Sequence, residues 1–378
     1  MDIRTRTAHA GLCSDEHTGA VSTPIYQSAT FRHPGVGQST GFDYSRTANP
    51  TRSVLEETLA SLEGGDKAFA FSSGMAAITA VLSIFSKGDH IIVSDDLYGG
   101  TYRLFETVFK RFGITASYVD TSRPDAVLGA VTVNTKAVFI ETPTNPMMKI
   151  TDIRAIAGIS HESNALLIVD NTFMTPYLQR PIHCGADIVV HSGTKYLGGH
   201  NDVLSGIIVC ARKELSERIG FIQNATGGVL SPFDSWLLLR GIKTLAIRMD
   251  RAEENAQRVS DALLAHPLVT GVYYPGRLTS ASDSTHRSQA SGYGAMLSFR
   301  VKTRAIAERL IQKVRVISFA ESLGGVESLI TFPMVQTHAD IPAAMREKIG
   351  ITDTLLRLSV GIESSDDIIE DLKQALEQ

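Results

Sequence analysis

Between about 67 and 210 the chain alternates short, wholly apolar runs with longer segments whose apolar residues recur every three or four positions. The runs at 68–71, 90–93, 115–119 and 137–140, and those ending at Asp170, His191 and Val209, predict strands. The segments 75–85, 102–112, a weaker one near Ala126, and 153–160 predict helices. A strand with no polar face is buried on both sides, so this alternation predicts an α/β fold around a mostly parallel sheet. Residues 1 to about 50 lack either period and carry turn formers such as His33-Pro34-Gly35. So long an irregular stretch reads as an arm, a lid or a partner-contacting segment. Asn49-Pro50-Thr51-Arg52 then starts a helix, with Leu55, Leu59 and Leu62 at helical spacing. Beyond about 240 a helix at 248–264 is stopped by His266-Pro267. Strands at 272–274, 295–301, 316–320 and 355–360 follow, with helices at 306–314 and 366–376, in a less regular order. The expected organisation is an arm (1–50), a large α/β domain (51–240) and a smaller C-terminal α+β domain (241–378).

Composition narrows the function without naming it. The chain has 378 residues, 43% hydrophobic and 20% charged, with a net charge of −4. That is a soluble globular balance, with no support for a nucleic-acid or membrane-surface partner. No apolar run approaches the roughly 20 residues that span a bilayer. Residues 1–7 lack an apolar signal core, so the expected location is the cytoplasm. Cys13, Cys184 and Cys210 form no CxxC or zinc spacing and read as reduced thiols. There is no HExxH; His191, His200 and His338 read as hydrogen-bonded structural groups. Asp340, Glu363 and the Asp366-Asp367 pair read as solvated charges.

Polar tails follow several of the strands: Ser72-Ser73-Gly74, Asn145, Asp170-Asn171-Thr172 and Ser192-Gly193-Thr194-Lys195. Ligands of such sheets bind beyond the carboxyl ends of the strands, which places these tails around one cleft. Lys195 is either a surface lysine or a functional amine. A Walker A loop needs Gly directly before its Lys, and Thr194 stands there. The other functional reading, beside a plain surface lysine, is a lysine holding pyridoxal phosphate as a Schiff base, with Ser192 and Thr194 toward the phosphate. Asp170 is either a loop carboxylate or the partner of the cofactor's ring nitrogen, which it would keep protonated. Ser73-Gly74-Met75 opens a helix whose free N–H groups suit one phosphate, and GxGxxG is absent. Tyr98, beside Gly99-Gly100, is a half-buried loop tyrosine or a ring that stacks on a flat cofactor and assists proton transfer. Arg357 interrupts an apolar strand, and its fork suits a carboxylate.

Taken together, the motifs resemble the Cys/Met-metabolism group of fold-type I pyridoxal phosphate enzymes, which handle trans-sulfuration. The resemblance rests on Tyr44-Ser45-Arg46 with Asn49-Pro50-Thr51-Arg52, Phe71-Ser72-Ser73-Gly74-Met75 and Tyr98-Gly99-Gly100-Thr101. It continues in Glu141-Thr142-Pro143-Thr144-Asn145-Pro146, Val169-Asp170-Asn171-Thr172, His191-Ser192-Gly193-Thr194-Lys195, Glu321-Ser322-Leu323-Gly324-Gly325 and Arg357-Leu358-Ser359-Val360-Gly361. It implies that Gly74, Met75, Ser192 and Thr194 bind the phosphate, that Tyr98 stacks on the ring, and that Lys195 and Tyr98 move protons. It implies that Asn145, Ser322 and Arg357 hold the substrate's α-carboxylate, and that Tyr44 and Arg46 reach the cofactor phosphate of a neighbouring subunit. A homodimer sharing its active sites, and a homotetramer of two such dimers, are therefore expected. Glu321 before Ser322 is similar to enzymes that handle cystathionine at its γ-carbon. Gly100 stands where methionine γ-lyases usually carry Cys. The expected activity is of the cystathionine γ-synthase type, γ-replacement of an O-acylhomoserine by cysteine. The alternatives are a γ- or β-lyase that cleaves cystathionine, then a sulfhydrylase or a methionine γ-lyase. A non-catalytic carrier of the cofactor is disfavoured by the joint presence of Lys195, Asp170, Tyr98 and Arg357.

Overall fold

The structure is a computed structural model that describes residues 1–12, 15, 18–339 and 341–377; Cys13 and Asp340 lie outside the described residues. Seven strands make the larger sheet: β1 (Lys67–Phe71), β2 (His90–Ser94), β3 (Thr115–Val119), β4 (Thr135–Glu141), β5 (Leu166–Asp170), β6 (Ile188–Ser192) and β7 (Gly206–Cys210). Their spatial order is β1-β7-β6-β5-β4-β2-β3. From β6 to β3 every pairing is parallel, and β7 runs antiparallel to both β1 and β6. The sequence reading made no exception for the strand ending at Val209. The reason is the connection from β6, a loop without a helix, which returns the chain with Ser192 opposite Gly206; a parallel return needs a crossover.

Period-two alternation divides each apolar strand between two cores. Phe139, Ile168 and Val190 face one core, with Ala77, Ile78 and Val81 of the helix Gly74–Leu82. Ile140, Val169 and Val189 face the other, with Leu55 and Leu59 of the helix Pro50–Glu63 and Leu238 of Pro232–Ile242. That second core runs on without a break into a five-stranded sheet, through Leu297, Phe299, Leu356 and Leu358.

The five-stranded sheet comprises β8 (Val269–Tyr273), β9 (Met296–Val301), β10 (Ser318–Phe319), β11 (Leu329–Thr331) and β12 (Leu355–Ser359), in the order β10-β11-β12-β9-β8. The expected strand at 316–320 shrinks to two exposed residues because it is an edge, paired with β11 alone. The helix Leu245–Ala265 links the sheets and buries Met249, Ala256 and Val259 along one face. The first 50 residues are not wholly irregular: Ile3–Ala8 is a short helix capped by Asp2. Its two apolar residues, Ile3 and Ala8, are too few for periodicity to reveal. The helix expected at 102–112 starts earlier, as Gly99–Arg103, then widens to a π turn over Leu104–Val108 and tightens over Phe109–Phe112. Both Phe105 and Phe109 end buried.

Candidate active site

The strands β1, β2, β4, β5 and β6 all end at one edge of the larger sheet, where a cavity of about 300 Å³ opens against the smaller sheet. By strand alternation Glu141, Asp170 and Ser192 leave on the face that carries the helix Gly74–Leu82. Gly74, Met75, Tyr98, Asn145, Asp170, Ser192, Thr194, Lys195, Glu321, Ser322 and Arg357 all line this cavity. Tyr44 and Arg46 do not. Tyr44 is 47% exposed, with the Arg46 guanidinium 5.6 Å from its ring centre. Arg46 donates to the Asn224 carbonyl at 2.7 Å. The buried Arg52 donates to the Ser45 carbonyl at 2.7 Å and so holds this exposed loop in place.

Lys195 follows β6 in a turn. Its Nζ donates to Ser322 Oγ at 2.7 Å. Burial, then the nearby Arg357, lower its pKa to about 8, with Glu321 acting in the opposite direction. Arg357 sits within β12, 2% exposed. Nη1 donates to Asn145 Oδ1 at 2.9 Å and Nη2 to the Ser322 carbonyl at 3.0 Å, while the buried Nε has no partner among the described residues. Burial pulls the guanidinium down to about 10, so it stays charged at neutral pH. Ser322 takes a φ of 92°, a region costly for a non-glycine residue, and its contacts to Lys195 and Arg357 hold it there. His338 donates or accepts at Thr337 Oγ1 through Nδ1 and sits 3.0 Å from the Asn145 carbonyl through Nε2. Burial lowers its pKa to about 3, so it is neutral and supports the Asn145 loop.

Asp170 Oδ1 accepts the Thr172 N–H at 3.0 Å and the Thr172 hydroxyl at 2.5 Å, which leaves Oδ2 for a donor from the cavity. Burial raises its pKa, and the Thr172 bonds oppose that. Thr172 also accepts the Ser192 N–H at 2.9 Å, tying the ends of β5 and β6 together. The sequence analysis had Thr172 only as part of a polar tail; a hydroxyl two positions after an Asp is the local signal for this turn. Leu204, Phe173 and Thr337 also line the cavity without having been expected there, as does Glu141, which the motif Glu141-Thr142-Pro143 contained without assigning it a role.

Ser73 caps the helix Gly74–Leu82 by accepting the Ala76 N–H, so the amides of Gly74 and Met75 face outward at the helix start. A Cβ on Gly74 would lie 3.0 Å from Ser192 Oγ, so only glycine leaves room between helix start and strand end. A Cβ on Gly100 would approach Tyr98 Cε1 to 2.4 Å and push the ring. An anion site at a helix start, a basic amine, a carboxylate with one oxygen to spare and an exposed tyrosine ring converge on one pocket. That set suits a phosphorylated aldehyde with a protonatable ring.

The family model for Cys/Met metabolism PLP-dependent enzymes matches residues 4–377. The chain belongs to that family. Cystathionine γ-lyase of Bacillus subtilis (strain 168) is 52% identical over 377 residues, covering 100% of both chains. Cystathionine γ-synthase of Haemophilus influenzae is 53% identical, covering 99% of this chain and 97% of its own. The solved structure of cystathionine γ-lyase from Lactobacillus plantarum with L-serine superposes with a TM-score of 0.96 at 48% identity, covering 99% and 98% of the two chains. This Cys/Met-metabolism enzyme therefore has the fold of the pyridoxal phosphate enzymes of trans-sulfuration, uses pyridoxal 5'-phosphate, and acts on sulfur amino acids. None of its described helices is long and apolar enough to cross a membrane.

One charge reading changes with the structure. Glu363 is not simply solvated: it accepts from the Ser328 N–H at 2.5 Å and the Ser328 hydroxyl at 3.0 Å. Asp366 is exposed, as expected, and pairs with Arg258 at 2.6 Å across the start of the terminal helix Ser365–Glu377. His191 and His200 are hydrogen-bonded, to Glu63 at 2.6 Å and to the Gly198 carbonyl at 2.8 Å. Cys184 and Cys210 are free and buried.

Proposed function

We propose that this enzyme is of the cystathionine γ-synthase type and joins cysteine to an O-acylhomoserine by γ-replacement. The observation that carries the reading is the pair of opposite charges flanking Lys195. Arg357 and Glu321 both line the cavity and both act on Lys195 electrostatically, in opposite directions. Arg357 offers its fork to one α-carboxylate, and Glu321 offers an anion to the ammonium of a second amino acid. A substrate pair with two amino-acid ends uses both.

In this reading Lys195 carries the cofactor, Asp170 Oδ2 accepts from its ring nitrogen, and Tyr98 covers the ring. Gly74, Met75, Ser192 and Thr194 hold its phosphate. Tyr44 and Arg46, which do not line the chain's own cavity, complete the phosphate site of a second copy, which makes the working unit a dimer and the full assembly a tetramer of two dimers. The division into arm, large domain and small domain then matches three tasks: completing a neighbour's site, holding the cofactor and holding the substrate carboxylate. Bound pyridoxal phosphate supplies an electrophilic carbon and an electron sink. Lys195 Nζ would take the proton from the substrate's α-carbon and return protons, with the Tyr98 hydroxyl assisting. Asn145, Ser322 and Arg357 fix the carboxylate, so that the α-proton stays aligned with Nζ. A cytoplasmic setting follows from free thiols and a small-metabolite substrate.

A second reading, cleavage of cystathionine by a γ- or β-lyase, is favoured by the 52% identity to the Bacillus subtilis γ-lyase. Purified enzyme given O-acetylhomoserine with cysteine, and separately cystathionine, ranks the two. The first reading expects faster formation of cystathionine than release of keto acid and ammonia. Faster cleavage would replace it with the lyase.

A further inference from the structure

Three carboxyl groups stand at the ends of neighbouring strands on the cavity side: Asp96 just beyond β2, Glu141 at the end of β4 and Asp170 at the end of β5. Glu141 and Asp170 are register partners in adjacent parallel strands, and both line the cavity. Two carboxylates held so closely in a partly dry site do not both ionise; the better-supported one keeps the charge. Asp170 has two donors from Thr172 on one oxygen, and the buried His191 on the sheet's far face favours its charge. Glu141 is 7% exposed, and among the described residues its carboxyl accepts one hydrogen bond, from the Tyr98 N–H to Oε2 at 3.1 Å. The cation nearest in kind, Arg357, has its Nη atoms committed to Asn145 and Ser322.

We propose that Glu141 is the cavity's neutral carboxylic acid, a positioning residue that leaves Asp170 as the ionised carboxyl and anchors the Tyr98 loop through Oε2. This rests on the cofactor assignments above, not on which sulfur substrate is turned over. With Oε2 accepting from Tyr98, the proton resides on Oε1. The groups facing Glu141 are Asp170 from β5, Asp96 from the loop after β2, Arg357 from β12 and Tyr98. Burial, then the adjacent Asp170, push the Glu141 carboxyl well above its usual range, and Arg357, which acts the other way, does not reverse this. Burial likewise raises Asp96 to about 7; its Oδ2 accepts the Thr144 hydroxyl and, at 3.2 Å, the Met147 N–H. With Glu141 neutral, Asp170 is the carboxylate that faces the ring nitrogen. Were Glu141 to ionise, its charge would compete with Asp170 and loosen the cofactor.

The test uses holoenzyme. The infrared difference between wild type and Glu141→Gln is expected to show loss of a protonated-carboxyl C=O stretch that shifts in D2O. The dissociation constant of pyridoxal phosphate is expected to rise at alkaline pH in wild type, and that rise is expected to flatten in Glu141→Gln, which cannot ionise. Glu141→Leu removes the acceptor of the Tyr98 N–H and is expected to weaken cofactor binding about tenfold at every pH; it also serves the infrared subtraction if the Gln variant does not fold. Loss of carboxylate bands instead of the C=O stretch, or an unchanged alkaline rise in Glu141→Gln, overturns the proposal. Neither readout depends on turnover, so failure of the γ-replacement assay leaves it standing, and its own failure leaves that assay untouched.

Discussion

The cavity has two walls, and they are built differently. On the larger sheet the polar groups follow strands directly: Ser73-Gly74 after β1, Tyr98 after β2, Asp170 on β5 and Lys195 after β6. Each is placed by strand direction and one turn. On the smaller sheet Arg357 lies inside β12, and Ser322 lies in a loop at positive φ. These groups are placed by bonds across the cavity, Lys195 to Ser322 and Arg357 to Asn145, and by the bond of Arg357 to the Ser322 carbonyl within the wall. The first wall can thus be preorganised without the second, whereas the second is aligned only by docking on the first. That difference fits a division in which one wall holds the cofactor and the other the substrate.

The sharpest way to break this comparison is to remove the amine. Lys195→Ala is expected to abolish the cofactor's visible absorbance band and to lower turnover at least about 10³-fold, read by spectrum and rate together. Unchanged turnover would falsify the assignment of the larger sheet's wall. Arg357→Lys tests the other wall. A lysine loses the bidentate fork, so KM is expected to rise about 10- to 100-fold while the absorbance band persists. If kcat falls as far as in Lys195→Ala, the two walls do not divide the work.

The role proposed for the arm sharpens the comparison by adding a third contributor. Arg46→Ala is expected to weaken cofactor binding about tenfold. Co-refolding it with Lys195→Ala subunits should regain activity, since a mixed dimer contains one intact site. Absence of any recovery would assign Arg46 to a role within its own chain.

The smallest effect comes from the bond that joins the walls. Lys195 loses its proton at about pH 8, below its ordinary 10.5, mainly through burial. The capture of pyridoxal phosphate by apoprotein is therefore expected to rise with pH and level off above about 8. Because the unfolded chain holds this proton up to 10.5, the apoprotein's stability contribution from Lys195 rises with pH between about 8 and 10.5. Ser322→Ala removes an acceptor of the ammonium form and should move the capture midpoint below 8, with a rate change under about tenfold. A midpoint near 10.5 in both proteins would mean that Lys195 is solvated and the walls are not in register.

The strands, the order of helices and the cleft at the strand ends were legible in the residues because hydrophobic alternation is local and strand termini announce themselves by polar tails. Motifs of a few residues around Lys195 and Asp170 sufficed to name the cofactor chemistry. What the residues could not reveal were relations between distant segments. The antiparallel turn of β7, the approach of Ser322 to Lys195 and the pairing of Glu141 with Asp170 depend on register and docking between strands, which no single segment encodes. A carboxyl group is ordinary until another lies beside it in a site poor in water, and only the folded chain decides which of the two keeps its proton.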